Sequence, residues 1–415
     1  MAEAPLDSGT KCIKVQEPLR RPDAEYFLLE ALNSAGAIYY NYYIFFFLQR
    51  HFGFGNAQNL TFSAVNGLIY IFAAWYGGKF AQKAGNLAAL LAGLVVVITS
   101  LLVASGWETV TGQVAMMICW TVGICFTWPA LEAQISDNRP RRTLPRMIGM
   151  YNVVWAATGA LTYFWGGAVF ERFGEKSLFF LPAAIHLLEL GLVVWLWRRF
   201  AGGVARNSST QPAAQDVEED RPVSEPEAQS FLRTAWVANP FAYIAINTII
   251  PVIPEIARKL DLSPTVAGFL CSIWFFVRLG TFWFLWQWTA WHYRFGPLLG
   301  AFVGLVASFG AMLLVRGLGI LIVGQVVFGF CVGLIYYSSL FYSMDVGDTK
   351  GEHGGVHEAA IGLGICVGPA VGAAALRIVP EKPTSAGWAV TGLLVMGLLC
   401  LVGMRRNFAG RKVVK

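Results

Sequence analysis

Residues 201–230 read AGGVARNSSTQPAAQDVEEDRPVSEPEAQS. The stretch is rich in Gly, Ser, Pro, Gln and acidic side chains and has almost nothing to bury. Such a composition cannot offset the entropy of ordering the chain, which predicts a flexible linker. On either side lie about 200 residues that read as apolar helices, six to a side. The fold class implied is an all-α polytopic membrane protein, with twelve transmembrane helices in two pseudo-symmetric six-helix bundles. The divisions expected are a tail at 1–23, a bundle at 24–200, the linker at 201–230, a second bundle at 231–405 and a tail at 406–415.

Composition points the same way. Of 415 residues, 56% are hydrophobic and only 13% charged, whereas a soluble chain carries roughly 25% charged residues. Most of the surface is therefore expected to face lipid. The predicted spans are 24–49, 59–82, 86–106, 111–135, 146–170 and 177–199, then 232–257, 263–289, 296–315, 318–343, 355–377 and 386–404. The N-terminal stretch MAEAPLDSGTKCIKVQEPLRRPD lacks the apolar run of a signal peptide, so the first helix is expected to insert uncleaved. Six of the seven cysteines fall inside apolar runs and no CxxC or Cys/His spacing occurs. Neither a disulfide framework, a metal site nor a cofactor is indicated.

Lys and Arg placement sets the orientation. With the N-terminus inside, 22 of the 31 Lys and Arg fall on the inner side and 8 on the outer, with Arg278 inside a span. Both termini and the linker are therefore expected in the cytoplasm, with the chain in the inner membrane. The basic clusters sit where topology requires them, so no nucleic-acid partner is expected. A monomer in the bilayer is.

The halves echo each other at an offset near 210. Trp75-Tyr-Gly-Gly-Lys-Phe-Ala-Gln-Lys-Ala-Gly85 ends span 2 with a basic residue two before a Gly, and Trp286-Gln-Trp-Thr-Ala-Trp-His-Tyr-Arg-Phe-Gly296 ends span 8 likewise. Span 4 ends at Ser136-Asp137 and span 10 at Ser343-Met344-Asp345. Parallel halves with a site between them are a known transporter plan. Gly78-Lys-Phe-Ala-Gln-Lys-Ala-Gly85-Asn86 resembles the loop signature G-x-L-a-D-r-x-G-r of the major facilitator superfamily. Gly78, Ala81, Lys83 and Gly85 match, and Gln82 stands at the acidic position. Span 11 carries Gly364-Ile-Cys-Val-Gly368-Pro369-Ala-Val-Gly372-Ala373, similar to an antiporter pattern that the family places in span 5. The resemblance implies the superfamily fold and secondary transport. It implies no antiporter assignment and no substrate.

An ionisable side chain in hydrocarbon costs roughly 2.5–3.5 kcal/mol on insertion scales, so each one needs a reason. Arg278, in CSIWFFVRLGTFWFLW, lies mid-span among aromatics. Its planar fork suits a carboxylate, phosphate or sulfonate on a substrate, or a carboxylate elsewhere in the bundle. Glu30, in LLEALNSAGAIYYNYY, shares a helix face with Asn33. It is the first candidate for proton coupling, against pairing with a loop Arg. His186 and Glu189, spaced i, i+3, are a proton relay or a structural pair. Tyr39 and Tyr43 in span 1, Asn247 in span 7 and Tyr336-Tyr337 in span 10 are candidates for the substrate cavity. Glu132, Asp137 and Arg141 around the end of span 4, Asp345, His357 and Glu358 in the second half, and Gly78, Lys83 and Gly85 read as gate or loop-locking residues.

The function expected is a secondary active transporter of a small organic solute, working by alternating access and coupled to protons, with a lean to an anionic or polar aromatic substrate. The alternatives are a multidrug or metabolite efflux transporter of the same fold, and a membrane receptor or membrane-embedded enzyme. No HExxH is present and only five His occur, which argues against the last.

Overall fold

The computed structural model describes residues 21–136, 144–201, 223–314, 317–346 and 350–413. Among them no strand occurs. The first half consists of α1 (Arg21–Phe52), α2 (Asn56–Ala84), α3 (Asn86–Ala104), α4 (Val110–Ser136), α5 (Leu144–Phe173) and α6 (Ser177–Ala201). Span 7 is assembled from α7 (Glu225–Ile249), a 3-10 turn (Ile250–Val252) and α8 (Ile253–Lys259). Span 8 joins α9 (Pro264–Cys271) to α10 (Ile273–Gln287), and α11 (Phe295–Leu314), α12 (Leu318–Val346), α13 (Lys350–Ile378) and α14 (Ser385–Val413) complete the second half.

Eleven of these twelve spans are long and apolar enough to cross a bilayer. The exception is α1, diluted by Glu30, Asn33 and Ser34, all fully buried. It packs against α4, α5 and α6, so it meets side chains where its neighbours meet lipid. The inversion is plainest on α6. His186 and Glu189 are wholly buried while Leu187 and Leu188, between them, are 59% and 68% exposed. A helix that turns leucines outward and charges inward is built for an apolar solvent.

Several helix ends differ from the sequence reading. α7 begins at Glu225, inside the stretch read as linker, because Ser224 takes the N-cap position ahead of a proline, and Glu225 and Glu227 suit the positive end of the helix. α14 runs on to Val413, beyond the predicted 404, and α13 starts at Lys350 rather than 355. Apolarity marks where a helix enters lipid, and backbone hydrogen bonding continues past that point. Residues 1–20, 202–222, 414 and 415 lie outside the described residues, as do Asp137 and Arg141.

The break in span 7 falls at Pro251, which cannot donate a backbone hydrogen bond. Asn59 of α2 reaches it, its Nδ2 donating to the Pro251 carbonyl at 3.1 Å. The halves meet along two seams, α2 against α13 and α5 against α9 and α10. Gly67 lets α2 and α13 touch backbone to backbone: a Cβ there would run into Ile365 and Cys366. At the end of the bundle away from the chain termini, here the far end, the seams are tied by polar contacts. Thr265 donates to Glu171, and Arg377 Nη2 donates to Thr61 Oγ1 at 3.0 Å.

At the terminal end the two halves repeat one device. Asn86, opening α3, donates to Gln134 near the end of α4 at 3.2 Å. In the second half Tyr293, before α11, donates to Asp345 near the end of α12. The turn at Gly85 has φ of 92°, a backbone that favours glycine. Lys83 beside it is exposed, and Gly78 lies on α2 within the last two turns.

Candidate functional site

Where the seams converge, the halves enclose a cavity of about 100 Å³. A water occupies about 30 Å³ in the liquid, and pockets for drug-sized ligands run to about 300–1,000 Å³. The space holds roughly three waters by that measure, so a solute of any size enters only if the halves part.

Arg278 of α10 forms one wall and is 1% exposed. Its guanidinium carbon lies 4.5 Å from the Trp155 ring of α5, 4.8 Å from Tyr336 of α12 and 5.2 Å from Phe282. Trp155 and Tyr336 are themselves stacked, with centroids 5.9 Å apart and planes at 13°. One ring comes from the first half and two from the second, so the box straddles the seam. A desolvated cation–π contact is worth about 2 kcal/mol, which helps hold the charge in place without neutralising it. The Tyr243 hydroxyl is within hydrogen-bonding reach of the guanidinium. Nε and Nη2 have no partner, and among the described residues no carboxylate pairs with Arg278. These two nitrogens form one edge of the guanidinium, the geometry that grips a carboxylate or phosphate with two parallel hydrogen bonds.

The other residues singled out from the sequence divide between the cavity and the interior of the halves. Asn247 and Tyr336 line the cavity, and so does Glu358, which had been read as a gate residue. Tyr39 and Tyr43 face away: the Tyr39 hydroxyl shares a hydrogen bond with Ser177 at 2.8 Å, and Tyr43 donates to the Tyr163 carbonyl at 2.5 Å. The member of that tyrosine run in the cavity wall is Tyr42. Tyr337 is buried against Trp291 and Phe282, and Asn33 is buried within the first half with both amide atoms unpartnered.

Glu30 is fully buried in α1, accepting from Ser34 Oγ at 2.6 Å, with Trp128 and Tyr151 close by. The pairing with arginine weighed for it belongs instead to Glu25, bonded to Arg199 at 2.7 Å. His186 Nδ1 and Glu189 Oε2 are hydrogen-bonded at 2.9 Å within α6. The imidazole fills the space where a side chain on Gly36 would stand, which explains the small residue at that point of α1. Glu132 is buried near the end of α4, and Asp345 is bonded to Tyr293. The His357 backbone belongs to α13, and its side chain lies outside the described residues.

The sequence reading missed Asn66, Tyr70, Trp120 and Trp155, all in the cavity wall. Asn66, a polar residue in an apolar run, carried a signal of the kind that marked Asn247. Trp155 carried none, since fifteen tryptophans are scattered along the chain.

Twelve spans in two matched halves around a buried, charged cavity define a polytopic transporter fold. The first 26–238 residues match the family model of the Major Facilitator Superfamily. The chain belongs to that superfamily, and is a transporter rather than an enzyme. Among solved structures, the human organic anion transporter MFSD10 (TETRAN) superposes with a TM-score of 0.63 at 14% identity, covering 93% of this chain and 100% of that one. The nucleoside transporter NupG superposes with a TM-score of 0.67 at 11% identity, covering 92% and 99%. A search of curated protein sequences returned no match.

Proposed function

We propose that the protein is a secondary transporter of a small organic anion, with aromatic anions favoured, that crosses the cytoplasmic membrane by alternating access coupled to protons. The observation that carries this reading is the free edge of Arg278, a buried cation held by rings from both halves with no carboxylate on it. A buried charge without a partner is costly, and a substrate anion supplies the partner. Trp155 and Tyr336 offer flat faces on which an aromatic solute stacks, and Asn247 offers an amide for its polar edge.

Proton coupling is assigned to Glu30, with the His186–Glu189 pair beside it in the same half. Two buried carboxyl groups in one six-helix unit, neither with an arginine or lysine bonded to it, are suited to change protonation as water reaches them. The Lys and Arg bias supports cytoplasmic termini, and one chain completes the cavity, which supports a monomeric working unit. The direction of transport, uptake or efflux, follows from which gradient drives flux. The test is solute flux in proteoliposomes: Arg278→Gln abolishes it while expression and folding persist, and normal flux through that variant would remove Arg278 from the site.

A further inference from the structure

The seam between α2, α4 and α13 holds a second buried arrangement that the Arg278 box does not use. Glu358, on the second half, lines the cavity and accepts a hydrogen bond from Tyr70 of the first half. Glu132, also of the first half, comes within hydrogen-bonding reach of the same carboxyl group. Both acids are more than nine-tenths buried. An ionised carboxylate only accepts hydrogen bonds, so two carboxyl groups bond to each other only when one carries a proton. With Tyr70 donating to Glu358, the proton belongs on Glu132. With both ionised, two like charges would face each other a few ångströms apart in a low-dielectric interior.

The surroundings do not offer an obvious substitute for that proton. Glu30 of α1 is the other charged group acting on Glu132, and it is an acid. Tyr151 of α5, Tyr243 of α7, Tyr336 of α12 and Cys125 of α4 are the remaining titratable groups that sense Glu358. Arg278 of α10 lines the same cavity, and its reach is to the tyrosines: Tyr42, Tyr243 and Tyr336. On α14, which also packs on α13, Arg405 is engaged by Glu227 at 3.8 Å and by the Phe231 ring.

We propose that Glu132 and Glu358 share one proton across the seam, and that this proton fastens the two halves together at the terminal end of the cavity. Releasing it to water leaves two carboxylates and a hydronium ion, and turns the contact from a hydrogen bond into a repulsion. That end of the bundle then parts, while the ties at Asn59, Thr265 and Arg377 hold the far end. The inference rests on the alternating-access reading for its motion and adds the group whose protonation sets it. It also explains why an acid stands in the wall of a cavity otherwise suited to an anion: protonation of Glu132 and arrival of an anion at Arg278 each remove a cost of keeping the closed seam.

The test uses the full chain in lipid nanodiscs without added solute. Nitroxides are placed at Gln82 and Arg294, exposed on opposite halves at the terminal end, through an unnatural side chain so that the cysteines stay native. Spin–spin distance and the infrared C=O band of protonated carboxyl groups are followed together as pH is raised. In the wild type, part of that band is lost and the distance lengthens over the same pH range. Glu132→Gln, whose amide donates the same hydrogen bond without titrating, lacks that part of the band and keeps the short distance throughout. Glu358→Gln loses the pH response as well. A wild-type distance that does not move with pH overturns the proposal, and so does opening of Glu132→Gln at the wild-type midpoint. If anion binding at Arg278 persists alongside either result, the shared proton falls and the transport reading stands.

Discussion

Replacing Arg278 by Gln removes the edge that Nε and Nη2 present to the cavity and keeps much of the side chain's length. Each charge-assisted hydrogen bond is worth about 1.5–3 kcal/mol, so two are worth about 3–6 kcal/mol by the same measure. At about 1.4 kcal/mol per tenfold change, affinity for an anion falls by roughly 10²- to 10⁴-fold. Thermal denaturation in detergent reads this directly. A ligand at about 100 times its Kd adds about 2.7 kcal/mol of stability, a shift that disappears once affinity falls by more than a hundredfold. The ligands are benzoate, phenyl phosphate and benzenesulfonate, each against a neutral analogue such as benzamide. Wild type is stabilised by one or more of the anions and not by the neutral partner, and Arg278→Gln by neither. Arg278→Lys, which keeps the charge without the fork, falls between. Without ligand, the Arg278→Gln midpoint does not drop, because the guanidinium has no carboxylate to lose. The reasoning is refuted if the variant retains the anion shift, or if the wild type responds to charged and neutral analogues alike.

Three further outcomes test other parts of the molecule. Glu30→Gln abolishes accumulation driven by a pH gradient while preserving solute exchange; an unchanged pH dependence in flux assays removes Glu30 from coupling. Gly67→Ala forces a methyl group against the Ile365 and Cys366 backbone and costs about 1–3 kcal/mol as overpacking. Gly392→Ala, with nothing within 4 Å, is neutral or gains up to about 1 kcal/mol from helix propensity; equal thermal midpoints for the two variants would contradict the seam. His292, in the connection between α10 and α11, stacks on Phe341 at 3.9 Å, and burial pushes its pKa down from 6.5 to about 4, partly opposed by Asp345. In that window the unfolded chain binds a proton that the folded one does not, so stability falls as pH drops from 6.5 toward 4. His292→Asn makes the fall in thermal midpoint across this range shallower, and an unaltered slope would show that His292 does not contribute.

Much of the architecture was legible because lipid selects residues one helix at a time. A span must satisfy its own backbone and hide its own charges, so apolar length and the spacing of rare charges announce it in one dimension. The repeated Trp-to-Gly endings of spans 2 and 8 were visible for the same reason, and the structure gives both halves matching polar ties at those positions. Legibility weakened at helix ends, where Ser224 and the basic end of α14 extend helices past the apolar edge.

Within the site, Arg278 and Asn247 stood out because a polar group in an apolar run costs enough to require a purpose. Tyr39, Tyr42 and Tyr43 were indistinguishable by that criterion, since each is a ring with one hydroxyl on neighbouring faces. Which hydroxyl meets Ser177, which meets the Tyr163 carbonyl and which meets the cavity depends on how α1 is rotated against α5 and α6. The sequence by itself determined the solvent, the number of spans and the few charges that must be buried, because those are costs borne by single residues. Only the tertiary structure decided which buried groups meet across the seams. Trp155 on Arg278, and Glu132 with Tyr70 on Glu358, are relations between helices far apart in the chain, fixed by how two halves pack and not by any one segment.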